Sequence, residues 1–440
     1  MWPHHPELLA TPVPRYTSFP TAAEFGDDVA AGDMTSALAS IRPEEAISLY
    51  LHIPYCREIC WYCGCNTGAA NRTGRVQAYL RRLADEMELI ARQLDGRGRV
   101  RRIAWGGGSP NAITPEDFDG LMLRLKQTFA LDDPVVSIEL DPRGFDARWA
   151  AALARNNVSR ASLGVQTFAP HIQAAIGRVQ PERDIAATMA HLRGAGVESV
   201  NFDLMYGLPG QAIADLSETL AQAVAMRPDR LAVFGYAHVP HLLPRQRRID
   251  ATALPGAEAR FEQAEMAHRQ LSAAGYQPIG FDHFALPGDA IARAARTGTL
   301  RRNFQGFTED SSDVLIGLGA SAISAFPGWL LQNEKNAGRY HLRIGNGQLA
   351  TARGLRRSQV DRLIGAAIEQ LLCVGTADLK YLPDLAQIRA RLERFERARL
   401  ISWSDDRLRL GDDALPYARG IAAALDPYRV RSEARFSNAV

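Results

Sequence analysis

The sequence predicts an α/β fold: an incomplete, laterally open (β/α)6 barrel, TIM-like, followed by a mostly helical C-terminal domain. Three observations carry this. Between residues 46 and 284, short apolar segments alternate with amphipathic segments at helical spacing, the pattern of parallel βαβ units joined by right-handed crossovers. About six such units fit, fewer than the eight that close a full barrel. Polar and glycine-rich residues collect where the strands end, which is where barrels gather their chemistry. A doubly wound sheet, the alternative architecture, would gather it at the same ends.

The first strand, AISLYLHI (46–53), runs directly into a cysteine-rich loop. Val76, Tyr79, Leu80, Leu83, Met87 and Ile90 then recur at helical spacing over 75–94. The strand RIAW (102–105) ends in Gly106-Gly107-Gly108. Thr114 as N-cap, Pro115 at the first helical position and Asp117 in the first turn announce the next helix. The alternation continues with strand 135–140, helix 146–155, strand 159–165, helix 181–193, strand 199–207 and helix 212–226. Strand 230–236 and helix 257–273 follow, and YQPIGFDHF (276–284) reads as a last strand. From about 351 the period is helical, with LISWSDDRLRLG as a small hairpin. Arg alternates there with Asp and Glu and forms no basic face, so this winged-helix-like unit reads as a structural cover. Three parts are expected: an N-terminal segment, 1–45, packing on the barrel; the barrel, 46–345; and the C-terminal domain, 346–440.

Apolar residues make up 46% of the chain and charged residues 23%, the balance of a globular protein with a sizeable core. The net charge of +2 and the absence of a lysine tract argue against a nucleic-acid partner. Only Lys126, Lys335 and Lys380 are lysines. Schiff-base chemistry therefore has few candidates, whereas arginine is plentiful for binding carboxylates. No stretch resembles a signal peptide or a membrane span, so a cytoplasmic protein is expected. No amphipathic stripe is left unexplained, which favours a monomer.

Four of the five cysteines fall in CREICWYCGC (56–65), and the fifth is Cys373. In a reducing compartment such a cluster is metal-binding or catalytic before it is disulfide-bonded. Structural zinc usually joins two separated ligand pairs, and there is no second pair. Iron–sulfur ligation fits better. Cys63 and Cys65 are one residue apart, so three thiolates on one cluster with a fourth left over is the easier geometry. It would leave one iron open, as a catalytic site needs.

Cys56-x3-Cys60-x2-Cys63 after the first strand, with Tyr62 before the third cysteine, resembles the radical S-adenosylmethionine superfamily. The resemblance implies a radical SAM barrel in which Cys56, Cys60 and Cys63 hold a [4Fe–4S] cluster. Its open iron would chelate S-adenosylmethionine and, once reduced, cleave it to a 5′-deoxyadenosyl radical. The glycine run at 106–108 resembles the segment that holds the methionine moiety. PRYTSFPTA (14–22), YLHIPYC (50–56), CGCNT (63–67), WGGGSP (105–110) and IELDPR (138–143) extend the likeness. So do LGVQTF (163–168), NFDLMYGLPGQ (201–211), GYAHVP (235–240), DHFA (282–285), RRNFQGFT (301–308) and GLGASAIS (317–324). In number and order these are similar to the oxygen-independent coproporphyrinogen III oxidase family.

That family converts coproporphyrinogen III to protoporphyrinogen IX in haem biosynthesis, turning two propionates into vinyl groups by oxidative decarboxylation. The resemblance implies two S-adenosylmethionine molecules per chain. Tyr50, Gly107, Glu139 and Ile323 match positions at the cluster-bound one. Tyr62, Gly108, Ser109, Gln166, Arg178, Asp203 and Ala237 match positions at the second. Cys65, Gln305 and Arg15 are further candidates near substrate or second cofactor. An electron donor such as a flavodoxin or ferredoxin system is implied. Two departures stand out: Ser109 and Asn111 occupy positions where the family usually has threonines, and Gly144 stands where a glutamate is expected. The competing readings are another radical enzyme of this subfamily, such as a haem-acting methyltransferase, and a non-catalytic haem or cluster carrier. Product analysis separates the first; the second has no use for Glu139, Gln166, Arg178 and Asp203 together at successive strand ends.

Overall fold

A computed structural model describes residues 2–430; residues 431–440 of the expected C-terminal domain lie outside the described residues. Six parallel strands follow one another in space in the order of the chain: β1 (Ala46–Ile53), β2 (Arg99–Gly107), β3 (Leu131–Leu140), β4 (Val158–Gln166), β5 (Ser199–Tyr206) and β6 (Arg230–Gly235). A doubly wound sheet would reverse this order at a switch point, and no reversal occurs. The connecting helices are α1 (Thr73–Leu94), α2 (Pro115–Thr128), α3 (Ala147–Arg155), α4 (Glu182–Gly194), α5 (Ile213–Met226) and, after β6, α6 (Ala257–Ala273). Thr114 caps α2 as expected, accepting the Asp117 N–H at 3.1 Å in a capping box.

The sheet is wider than its six units. A seventh parallel strand, β7 (Val314–Leu318), pairs with the other side of β1. Antiparallel strands Ile323–Phe326, Trp329–Asn333 and Thr351–Arg356 extend that edge. The expected strand 276–284 is instead two antiparallel strands, Gln277–Ile279 and His283–Ala285, on the far edge beside β6. Gly280 breaks it, at φ +58° with Phe307 packed where a side chain would stand. The two ends of the twelve-stranded sheet do not pair, so the barrel is open at the side.

Strand Thr351–Arg356 belongs to this sheet and therefore runs past the boundary expected at 345. Its arginine-rich sequence, TARGLR, shows no strand period. The N-terminal segment also divides. Met34, Leu38 and Ile41 enter the barrel core, whereas Leu8, Val13, Tyr16 and Phe19 enter the core of the C-terminal region. That region holds helices Gln359–Val374 and Leu385–Arg397 and a three-stranded antiparallel sheet, in which Thr376–Asp378 joins the expected hairpin.

Alternation along the strands sorts side chains between two environments. Leu51, Ile103, Val136, Leu163, Phe202 and Leu204 are buried in the main core. Residues of the other parity, among them Ser48, Arg102, Ser137, Glu139, Arg160, Ser162, Asn201 and Asp203, line a lumen of about 350 Å³. Its floor is an ion cluster. Glu309 accepts from Arg102 at 2.9 Å and from Arg160, and lies 3.8 Å from Arg230. Arg230 also pairs with Asp289 at 2.8 Å.

The apolar face of α1 carries one carboxylate, Glu86, 2% exposed. It accepts from Gly319 N–H at 2.6 Å, Tyr340 O–H at 2.8 Å and Asn333 Nδ2 at 2.8 Å. Burial pushes its carboxyl up to about 7, and the three donors pull against that. Together with Tyr79, whose hydroxyl donates to His52 O and accepts Ala320 N–H, it pins the turn after β7. Glu86→Ala leaves Gly319 N–H and Tyr340 O–H without this acceptor, at about 1–3 kcal/mol each, whereas Asn333 Nδ2 keeps the Gly319 carbonyl at 3.0 Å. The expected loss is at least about 2 kcal/mol of unfolding free energy, read from urea titration.

Candidate active site

The upper ends of β2 to β5 and the loop after β1 enclose a cavity of about 190 Å³. Twelve of the residues singled out from the sequence line it: Cys56, Cys60, Cys63, Cys65, Tyr62, Gly107, Gly108, Ser109, Glu139, Gln166, Arg178 and Asp203. Gln305 lines the lumen instead, which shares Glu139, Ser162 and Asp203 with this cavity. Tyr50, Ile323, Ala237 and Arg15 are on neither lining. Tyr50 is opposite Gly317 of β7, with its hydroxyl 3.1 Å from His52 Nδ1. Ile323 packs its backbone against Gly317. The Ala237 carbonyl accepts from Gln246 at 3.0 Å, and Arg15 donates to the Gly235 carbonyl at 3.1 Å.

All five cysteines are free thiols. Cys60 is buried, and its Sγ receives Arg178 Nη1 at 3.2 Å and Arg143 Nη2 at 3.4 Å. Cys56 Sγ receives the Thr67 hydroxyl at 3.3 Å. Cys63 Sγ receives the Cys65 N–H at 3.4 Å, and the Cys65 thiol and this N–H hold Cys63 below the usual thiol range. Among the described residues no three His, Cys, Asp or Glu side chains close on a single metal ion.

The glycine run lets the backbone pass close to the cysteine loop. Gly107 is at φ +119°, and a Cβ there would lie 2.9 Å from the His52 ring and the Ile53 carbonyl. On Gly108 it would meet Thr67 Oγ1 and lie 2.5 Å from the Tyr55 carbonyl, which already accepts Ser109 N–H at 2.8 Å. Gly108→Ala therefore wedges β2 away from the loop bearing Cys56. It is expected to cost about 1–3 kcal/mol of stability, measured by chemical unfolding.

The carboxylates are set apart by their surroundings. Burial pushes Glu139 up to about 7, the negative charge of Asp203 adding to it, while a 3.3 Å hydrogen bond from Gly107 N–H opposes. Burial also raises Asp203, against donors Ser162 Oγ and Asn201 Nδ2, both at 2.8 Å. Arg178 is 6% exposed; it reaches Asp141 at 3.2 Å, the Gly164 carbonyl at 2.5 Å and Gln180 at 3.1 Å. Gln166, at φ +67°, ends β4 in the left-handed region, a strain that favours a role at the cavity.

Asp141 and Arg143 were visible in the segment IELDPR without a role assigned to them. Arg143 joins Asp141 at 2.7 Å and Glu58 at 2.7 Å, tying β3 to the cysteine loop. Gln246 had no sequence signal. It sits buried in a short 3-10 helix, Pro244–Arg248, and donates to the carbonyls of both Tyr62 and Ala237, at 2.9 and 3.0 Å. The two departures have local explanations. Ser109 Oγ donates to Asn111 Oδ1 at 2.6 Å, and Asn111 brackets Asp141 through its N–H and its carbonyl, so the pair braces the end of β3. Gly144 is at φ +77°, where a glutamate would be strained.

A family model described as the radical SAM superfamily matches residues 50–223. The oxygen-independent coproporphyrinogen III oxidase of Bradyrhizobium diazoefficiens is 41% identical over 425 residues, 94% of each chain. The anaerobic coproporphyrinogen III oxidase 1 of Cereibacter sphaeroides is 38% identical, covering 98% of this chain and 97% of its own. The solved structure of coproporphyrinogen III oxidase from Escherichia coli, described as a radical SAM enzyme, superimposes with a TM-score of 0.90 at 32% identity. It covers 97% of this chain and 99% of its own. With this length of agreement and the cysteine cavity at the strand ends, the chain belongs to the oxygen-independent coproporphyrinogen III oxidase family of radical SAM enzymes.

Proposed function

We propose that this chain converts coproporphyrinogen III to protoporphyrinogen IX without oxygen, by oxidative decarboxylation of two propionates to vinyl groups. The observation that carries the reading is the convergence of four thiols, a glycine strand end and the side chains of Glu139, Gln166, Arg178 and Asp203 on one cavity. The donor set suits the family's [4Fe–4S] cluster. The thiols are free, and Cys56, Cys60 and Cys63 each receive a hydrogen bond at sulfur, which tunes a bound cluster. Cys56, Cys60 and Cys63 would hold it. When bound, the cluster and S-adenosylmethionine supply a radical that removes a hydrogen atom from the propionate.

The protein's part is binding, orientation and exclusion of water. Gly107 and Gly108 offer backbone groups where a side chain would block approach. Glu139 accepts from hydroxyl or amino groups of the cofactor, and Tyr50 on β1 and Ile323 on the strand beyond β7 are assigned to the same molecule. A second S-adenosylmethionine is assigned to Tyr62, Gly108, Ser109, Gln166, Arg178, Asp203 and Ala237. There Arg178 meets a carboxylate and Asp203 accepts from ribose or amine. Cys65 and Gln305 face the substrate or this second molecule. A one-electron donor of the flavodoxin or ferredoxin type serves a monomer in the cytoplasm. Among the described residues no helix is long and apolar enough to cross a membrane.

The test is anaerobic. Protein reconstituted with iron and sulfide receives S-adenosylmethionine, a reductant, coproporphyrinogen III and a cell extract as electron acceptor. Chromatography is expected to show protoporphyrinogen IX. Cleaved S-adenosylmethionine with untouched coproporphyrinogen would overturn the substrate and leave the superfamily standing.

A further inference from the structure

Two arginines stand behind the lumen, and neither makes an ion pair among the described residues. Arg15, on the N-terminal segment, lies 5.2 Å over the Phe234 ring and donates to the Gly235 carbonyl at the end of β6. Arg302, on the hairpin Arg301–Asn303/Gly306–Thr308, lies 4.3 Å over Phe307 and 4.9 Å over Phe281. It donates to the carbonyls of Tyr16 and Arg15, each at 3.1 Å, and its Nη1 is buried without an acceptor. The two guanidinium groups are therefore linked through the backbone of one segment. The carboxylate acting on both is Asp282, itself 2.6 Å from His283.

Phe234, Phe307 and His283 line the lumen together with Gln305, Glu139 and Asp203. Arg15 lines a smaller cavity with Asp282, and Arg302 lines a groove of about 320 Å³ beside Tyr16. The two cations thus flank the aromatic wall of the space next to the cysteine cavity. Covering those rings does not require charge, since an apolar side chain would do it without burying a guanidinium. Guanidinium groups facing carbonyls and rings, with Arg302 Nη1 left without an acceptor, have the chemistry that binds carboxylate.

We infer that Arg15 and Arg302 bind the carboxylates of those substrate propionates that are not at the reacting position. The inference rests on the substrate reading given above. Coproporphyrinogen carries four propionates on one macrocycle. While one is presented near Glu139 and Asp203, the others project away from the reacting centre and need cationic partners. The ring must also be held again, in a second orientation, for the second decarboxylation. A pair of guanidinium groups on two loops suits that better than a single fixed pocket.

The experiment measures binding of coproporphyrin III by fluorescence, and steady-state turnover of coproporphyrinogen III, for wild type, Arg15→Gln, Arg302→Gln and Arg302→Lys. Loss of a charge-assisted pair is expected to raise the dissociation constant and KM roughly tenfold to a hundredfold in the Gln variants. The KM for S-adenosylmethionine should move far less, and Arg302→Lys should recover much of the loss. If Arg302→Gln does not fold, the partly buried Arg15 decides through its own variant. Unchanged KM and binding in folded Arg15→Gln and Arg302→Gln, with an active wild type, overturns this inference alone. A wild type that neither binds coproporphyrin III nor converts coproporphyrinogen III overturns it together with the substrate reading.

Discussion

Cys60→Ala is expected to abolish turnover, with activity down by more than about a hundredfold, because loss of a mere outer partner of a metal ligand already costs roughly 10–100-fold. The reason is specific to this thiol. Cys60 is the buried one of the three, and its sulfur anchors the Nη1 of Arg178 and the Nη2 of Arg143. Those guanidinium groups converge on Asp141 at the end of β3. Removing the sulfur takes away a proposed cluster ligand and leaves Arg178 and Arg143 each short of an acceptor. Iron and sulfide per chain after anaerobic reconstitution should fall along with protoporphyrinogen formation. Cys373→Ala is the control: that thiol packs in a separate apolar cluster with Ile279 and Phe307 and should leave iron content untouched. Full iron loading in Cys60→Ala would remove Cys60 from the ligand set.

Glu309→Gln is expected to cost about 3–5 kcal/mol of unfolding free energy, the penalty for breaking a buried ion cluster by removing one partner. Glu309 is 13% exposed and faces Arg102, Arg160 and Arg230 at the floor of the lumen. Burial would raise its carboxyl, but the three guanidinium groups, Arg160 foremost, hold it down at about 2 against 4.5 in the unfolded chain. A folded-state value below the unfolded one means the stabilisation is fully present above about 4.5. It is lost as the pH falls through about 2, and amounts to about 3 kcal/mol. Wild type should therefore lose stability steeply between pH 4.5 and 2, and Glu309→Gln should show a shallower slope there. Urea titrations across that window measure both. Parallel slopes would mean that the three arginines are satisfied elsewhere.

The alternation of strands and helices was legible because each strand of this sheet repeats every two residues and each covering helix every 3.6. Helix α2 could be placed at its first residue because Thr114, Pro115 and Asp117 act locally. The cysteine loop was legible for a similar reason: three cysteines within eight residues need no tertiary structure to be recognised as a set. Where local signals were weak, the reading slipped. Thr351–Arg356 is an edge strand specified by pairing with Trp329–Asn333, and Gly280 turns the chain because Phe307, distant in sequence, fills the space beside it.

By itself the sequence determined the fold class, the order of the βα units, the thiol set and the kind of residue waiting at each strand end. These follow from spacing along one chain, where neighbours are neighbours whatever the rest of the molecule does. Only the tertiary structure decided which strand-end residues share a cavity. It brought Asp203 close enough to raise Glu139, and put Arg143 and Arg178 on one sulfur. It closed the barrel floor with Glu309, and it laid Arg15 of the N-terminal segment against Phe234. Each of these joins residues far apart in sequence, and their energies depend on burial and distance, which no local pattern encodes.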